Sequence, residues 1–232
     1  MQRADIPRLV TLLVLAYAAA IALFSVWPEL DLMVSALFYR EDEGFWLARN
    51  GLFEALRTIV WWMSVIVALA SIIALLLAAL GRPIAAFDRP KAAFVFLLYL
   101  LGPTVLANGL LKRFWGRARP ADITEFGGTR EFTPALVPSG QCHHNCSFVS
   151  GEGSGATAMA ISLLVLAPVI ARFVPRGWRI PVATVIAGLA LAGVAMRVMT
   201  GRHFLSDTIF AVLFISTIAL ALYRLLLIGR NR

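Results

Sequence analysis

Three stretches of this 232-residue chain, 9–27, 58–80 and 92–111, contain no charged side chain. Each is close to the roughly 20 residues that a helix needs to cross the hydrocarbon core of a bilayer. Water offers no good environment for such runs in succession, because a soluble core of this size needs a polar shell around it. Hydrophobic residues make up 60% of the chain and charged residues 15%, so that shell is missing. Three further runs, 156–174, 181–199 and 208–228, have softer edges, with Arg172, Arg197 and Arg224 near their ends. An arginine there can extend its head to the interface while its stem stays in the apolar layer. The pattern predicts an all-α integral membrane bundle of six transmembrane helices in a single domain spanning residues 1–232. The first run follows Arg3 and Arg8 like a signal peptide, but its small-residue stretch Ala16-Tyr17-Ala18 lies inside the apolar run, so an uncleaved helix is expected.

Six spans place both termini on one face, together with the connectors 81–91 and 175–180. Those connectors and tails carry Arg3, Arg8, Arg82, Arg89, Lys91, Arg176, Arg179, Arg230 and Arg232 against only Asp5 and Asp88. The positive-inside bias makes that face cytoplasmic, which fits a multi-pass protein of a bacterial inner membrane. The net charge of +8 divides between this topology and a local anion site, so nucleic acid is not an expected partner. Residues 29–57 mix Leu32, Met33, Phe38, Phe45 and Trp46 with acids and arginines, which reads as an amphipathic helical segment lying in the interface.

The longest connection, residues 112–155, lies on the face opposite the cytoplasmic one, and loops of this length in compact domains are usually functional or disordered. It opens on Lys112 and the run that closes on Arg119-Pro120, and cations at both ends of so short a segment can reach one oxyanion. It closes on Ser150-Gly151-Glu152 before an apolar run, where free backbone N–H groups at a helix start make an anion seat. At the junction of the fifth and sixth spans, on the same face, stand Arg197, His203 and Asp207. If His203 and Asp207 share the opening turn of a helix, their i, i+4 spacing puts them on one face. A carboxylate holding one imidazole nitrogen then frees the other to attack phosphorus.

Lys112 with six residues before Arg119-Pro120, then Ser150-Gly151, then Arg197 with five residues before His203 and three more before Asp207, resembles the tripartite signature of the type 2 phosphatidic acid phosphatase superfamily. The resemblance implies a metal-independent phosphatase with no cofactor. In it His203 forms a phosphohistidine with Asp207 in support, while Lys112, Arg119, Ser150, Gly151 and Arg197 bind phosphate. The family's middle motif reads Pro-Ser-Gly-His, and Glu152 stands here in place of that histidine. Its role is open among acid, water-orienting base and substrate ligand. A second Ser-Gly pair, Ser139-Gly140 after Pro138, lacks an acid or base and leads into no apolar helix, so Ser150 is preferred. The glutamate and the cysteine loop before it are similar to those of bacterial lipid A phosphatases in this superfamily. Lipid A is the first substrate expected, ahead of undecaprenyl diphosphate and phosphatidylglycerol phosphate. A lipid phosphotransferase and an inactive lipid-binding or transport protein remain as alternatives. The site is expected to face the periplasm, with a lipid phosphate and the bilayer as partners and the oligomeric state undetermined. Cys142 and Cys146, on the oxidising side, suggest a short disulfide. With His143 and His144 between them a metal site is a weaker reading, and a free pair is a third.

Overall fold

In the computed structural model residues 5–84 and 87–228 are described, so the tail residues Arg3, Arg230 and Arg232 lie outside the described region. Six helices are long and apolar enough to cross a membrane. They are α1 (Asp5–Val26), α3 (Gly51–Ala79), α4 (Arg89–Phe114), α5 (Gly151–Ile170), α6 (Arg176–Met199) and α7 (Leu205–Ile228). The expected all-α bundle is present. Helix α5 packs against α3, α4, α6 and α7, and its apolar stretch is 44% buried against 11% for α1. Small residues explain its central place: Gly153, Ser154, Ala156, Thr157 and Ala158 are all buried, which lets neighbouring backbones approach. Helix α1 rests on the outer face of α7, where Phe24 meets Phe210 and the hydroxyl of Tyr17 bonds that of Thr217 at 3.1 Å.

The segment 29–57 contains the helical piece expected between the first two spans, but as a short one. Only α2 (Leu30–Ala36) is helical there before a two-stranded hairpin, β1 (Tyr39–Arg40) with β2 (Gly44–Phe45), and a 3₁₀ turn (Trp46–Arg49). Its last residues already belong to α3, which starts at Gly51 because the Asn50 side chain accepts hydrogen bonds from the N–H groups of Leu52 and Phe53. The hairpin is bound to the long loop by aromatic packing, with Phe45, Phe126 and Phe204 in one cluster and Tyr39 against it. Beneath this cap Gly201 has φ +66°, and an added Cβ would sit 2.3 Å from the Phe45 ring. Both facts restrict that position to glycine.

Helix α4 changes pitch within the membrane. It is an α-helix from Arg89 to Tyr99 and winds as a π-helix from Leu100 to Leu111, around Pro103. Pro103 has no N–H to give the ladder, and Asn108 donates from its side chain to the Pro103 carbonyl at 2.7 Å. This wide turn ends at Lys112, so the pitch change directly precedes the first candidate site residue.

Candidate active site

Helix α5 begins at Gly151, five residues before the apolar run that marks it in the sequence. Ser150 is its N-cap, accepting a hydrogen bond from the Gly153 N–H at 3.1 Å. Its own N–H is held by the Asp207 carbonyl at 3.2 Å. Ser150 is fully buried and does not line the cavity above it; Gly151 and Glu152 do. The approach of α4 depends on Gly151, where a Cβ would meet Asn108 Oδ1 at 2.7 Å and Lys112 Cε at 3.3 Å. A methyl group there would push Lys112 away from the helix terminus.

That cavity, about 510 Å³, is lined at one end by Lys112, Arg119, Arg197, His203 and Glu152. Arg119 donates from Nε and Nη2 to the Asn145 carbonyl at 3.1 and 2.7 Å, and Lys112 Nζ donates to Asn145 Oδ1 at 3.2 Å. Arg197 stands 3.5 Å from Glu152, and its buried Nε has no hydrogen-bond partner. A buried donor left unpaired is costly, so this end of the cavity calls for an oxyanion. The other end is apolar and runs along α3 past Val60, Val65 and Ala68 to Leu69. From Arg57 to Leu69 that path is roughly 18 Å along the helix.

His203 is not on a helix. It lies in the turn before α7, which starts at Leu205, and its N–H is held by the Arg197 carbonyl at 3.0 Å. The expected shared helical turn is absent because Asp207 folds back to accept from the Phe204 N–H at 2.9 Å, which fixes the helix start beyond His203. The expected grip of Asp207 on the imidazole also differs. His203 Nδ1 lies 2.7 Å from the Ser147 carbonyl oxygen, whereas Asp207 Oδ2 is 3.7 Å away. The second distance is too long for a hydrogen bond but short enough for the carboxylate to stabilise any positive charge that the ring gains. A carbonyl oxygen only accepts, so Nδ1 carries the hydrogen and Nε2 keeps its lone pair. Burial pushes the His203 imidazole down to about 3, with Asp207 opposing and Lys112 and Arg197 adding to the shift. The ring is therefore a neutral base at physiological pH.

Asp207 is fully buried and outside the cavity. Its Oδ1 accepts from Arg117 Nη1 at 2.6 Å, and its Oδ2 accepts a short bond from the Ser147 hydroxyl. Glu152 Oε1 is 3.2 Å from Arg57 Nη1 and 3.5 Å from Arg197 Nη1. Cys142 and Cys146 are bonded to each other, with their Cα atoms 5.6 Å apart, and among the described residues no cluster of His, Cys, Asp or Glu could hold a metal ion. The disulfide loop encloses Asn145, whose φ is +51°.

The structure thus brings Lys112, Arg119, Gly151, Glu152, Arg197 and His203 to one cavity and sets Ser150 and Asp207 behind its wall. Ser147, Asn145, Arg57 and the Asp31–Arg117 pair were not singled out from the sequence. Arg57 left a signal, being a charge one residue ahead of an uncharged run; the backbone role of Ser147 left none.

Comparison with known proteins points the same way. The PAP2 superfamily profile matches residues 92–229. The lipid A 4′-phosphatase of Rhizobium etli is 31% identical over 203 residues, covering 82% of this chain and 76% of that protein. The lipid A 4′-phosphatase of Rhizobium leguminosarum is 31% identical over 82% of this chain and 84% of its own length. The lipid A 4′-phosphatase of Francisella tularensis subsp. novicida is 30% identical over 88% and 89%. No solved structure matches the chain.

Proposed function

This chain belongs to the PAP2 superfamily, and on that premise we propose that it removes the 4′-phosphate of lipid A through a phosphohistidine formed on His203. It is a multi-pass membrane lipid phosphatase. The observation that carries the mechanism is the 2.7 Å contact of His203 Nδ1 with the Ser147 carbonyl, which leaves Nε2 as a free nucleophile in a cation-lined cavity. Nε2 forms a bond to phosphorus as the ester P–O bond breaks, and the leaving oxygen departs with the electron pair and takes up a proton from solvent. Water, giving a proton to Glu152, then forms the new P–O bond as the P–N bond breaks and its electron pair returns to Nε2, and phosphate leaves.

Lys112, Arg119, Arg197 and the N–H groups opening α5 oppose the charge that builds on the phosphoryl oxygens. Ser150 serves by capping that helix. Glu152, paired with two arginines, fits a group that orients or deprotonates the attacking water better than one that protonates the leaving oxygen. The apolar arm of the cavity suits the lipid part of the substrate. We place the site on the periplasmic face, since the short basic connectors lie at the opposite ends of the helices.

The test is phosphate release from purified lipid A, undecaprenyl diphosphate and phosphatidylglycerol phosphate, with His203→Ala as control. Release from the 4′ position of lipid A by the wild type, and none by His203→Ala, is the expected result. Faster release from either other lipid reassigns the substrate. Turnover retained by His203→Ala removes the phosphohistidine.

A further inference from the structure

Asp31 lies on α2, far ahead of the residues that match the superfamily, yet it reaches the buried network behind the wall of the site. Its side chain is 1% exposed, and one shared cation joins it to Asp207. Arg117, fully buried, donates from Nη2 to Asp31 Oδ2 at 2.9 Å and from Nη1 to Asp207 Oδ1 at 2.6 Å. Ser206 closes the link: it accepts from Arg117 Nη1 at 2.8 Å, and its N–H donates to Asp31 Oδ1 at 2.9 Å while its hydroxyl donates to Asp31 Oδ2. Phe204 covers the guanidinium, its ring centre 4.2 Å away. Every contact to Asp31 has its carboxylate accepting, which is the pattern of the ionised form, and although burial raises its pKa, Arg117 and the Ser206 hydroxyl oppose that shift.

We propose that Asp31 is a positioning residue for phosphoryl transfer, offsetting the charge of Arg117 so that Asp207 keeps its negative field directed at His203. The argument is electrostatic. When Nε2 attacks phosphorus the imidazole gains positive charge, and the nearest anion is Asp207 Oδ2 at 3.7 Å from Nδ1. Arg117 holds the other oxygen of that carboxylate and opposes the gain. A second carboxylate on the far side of the guanidinium, in a site closed to water, cancels much of that opposition. A structural anchor for α2 would need a partner for Asp31; it would not need that partner to be the cation already bound to Asp207.

The inference rests on the phosphohistidine reading, and its test separates the two. With full-length protein in detergent and lipid A as substrate, Asp31→Asn lowers kcat about tenfold and leaves KM within about twofold, since Asp31 touches no substrate. Adding Arg117→Gln to Asp31→Asn restores the charge balance and recovers part of the lost kcat. Unfolding temperatures measured in parallel separate loss of folded enzyme from loss of rate per molecule. If Asp31→Asn does not fold, Ser206→Ala carries the test, with a smaller fall in kcat at constant KM. Wild-type kcat in the variant that folds, or a double variant slower than Asp31→Asn, overturns the positioning role. A wild type that forms no phosphohistidine overturns the mechanism on which it rests.

Discussion

His203 Nδ1 is 2.7 Å from the carbonyl oxygen of Ser147 and 3.7 Å from the carboxylate of Asp207, so a main-chain group orients the ring and the acid acts on it through its field. The division predicts unequal penalties. Asp207→Asn keeps the Nδ1–H tautomer and loses about 10- to 100-fold in kcat, the range for a group acting through its neighbour. His203→Ala loses all measurable turnover. Single-turnover kinetics on purified variants check this, and an Asp207→Asn enzyme as dead as His203→Ala would show that Ser147 does not hold the ring.

Glu152 separates the two displacements. If it serves the water step, Glu152→Gln slows phosphate release more than it weakens binding, and the phosphoenzyme accumulates. Acid-labile, base-stable label on the protein after mixing with ³²P-labelled lipid A reads this directly. Unchanged turnover, or slow turnover with no label, sinks the role.

The imidazole also sets a pH dependence of stability. Its folded-state pKa is lowered from 6.5 to about 3, so on acidification the unfolded chain takes up this proton first. The stabilisation is intact above about pH 6.5 and declines as pH falls toward 3. Unfolding temperatures from pH 7.5 to 4 should therefore fall more steeply for the wild type than for His203→Gln. Parallel curves would mean that the ring is not held neutral.

The Cys142–Cys146 bond closes the loop in which Asn145 receives both Arg119 and Lys112. Opening it frees Asn145 and loosens Lys112 and Arg119, the two proposed phosphate ligands, together. Reduction, or Cys142→Ser with Cys146→Ser, should raise KM about tenfold, the equivalent of one charge-assisted contact, with a smaller effect on kcat. Steady-state kinetics with and without a reductant test it, and an unchanged KM refutes the link.

The spans were legible because lipid imposes one requirement on every residue in them, an apolar surface, and a run of letters records it. The cations Lys112 and Arg197 were legible because each stands near the end of a membrane helix, and Arg119 because it follows Lys112 in one short basic run. Asp31 was not, since one acid among Leu30, Leu32 and Met33 reads as the wet side of an interfacial helix. Only the fold shows it turned inward onto Arg117. The i, i+4 reading of His203 and Asp207 failed for a local reason: Asp207 had its own N–H to cap, that of Phe204, and the helix could not begin until after it.

The loop that bears His203 turns at Gly201, where a left-handed backbone and the ring of Phe45 both forbid a side chain. Shrinking Phe45 would remove the collision and leave the backbone conflict in place. Opening this position to another amino acid therefore takes two changes at once, a smaller residue at Phe45 and a side chain, such as that of asparagine, that tolerates a left-handed backbone. Change around His203 is thereby channelled into residues that can vary one step at a time, while this pivot needs a paired move.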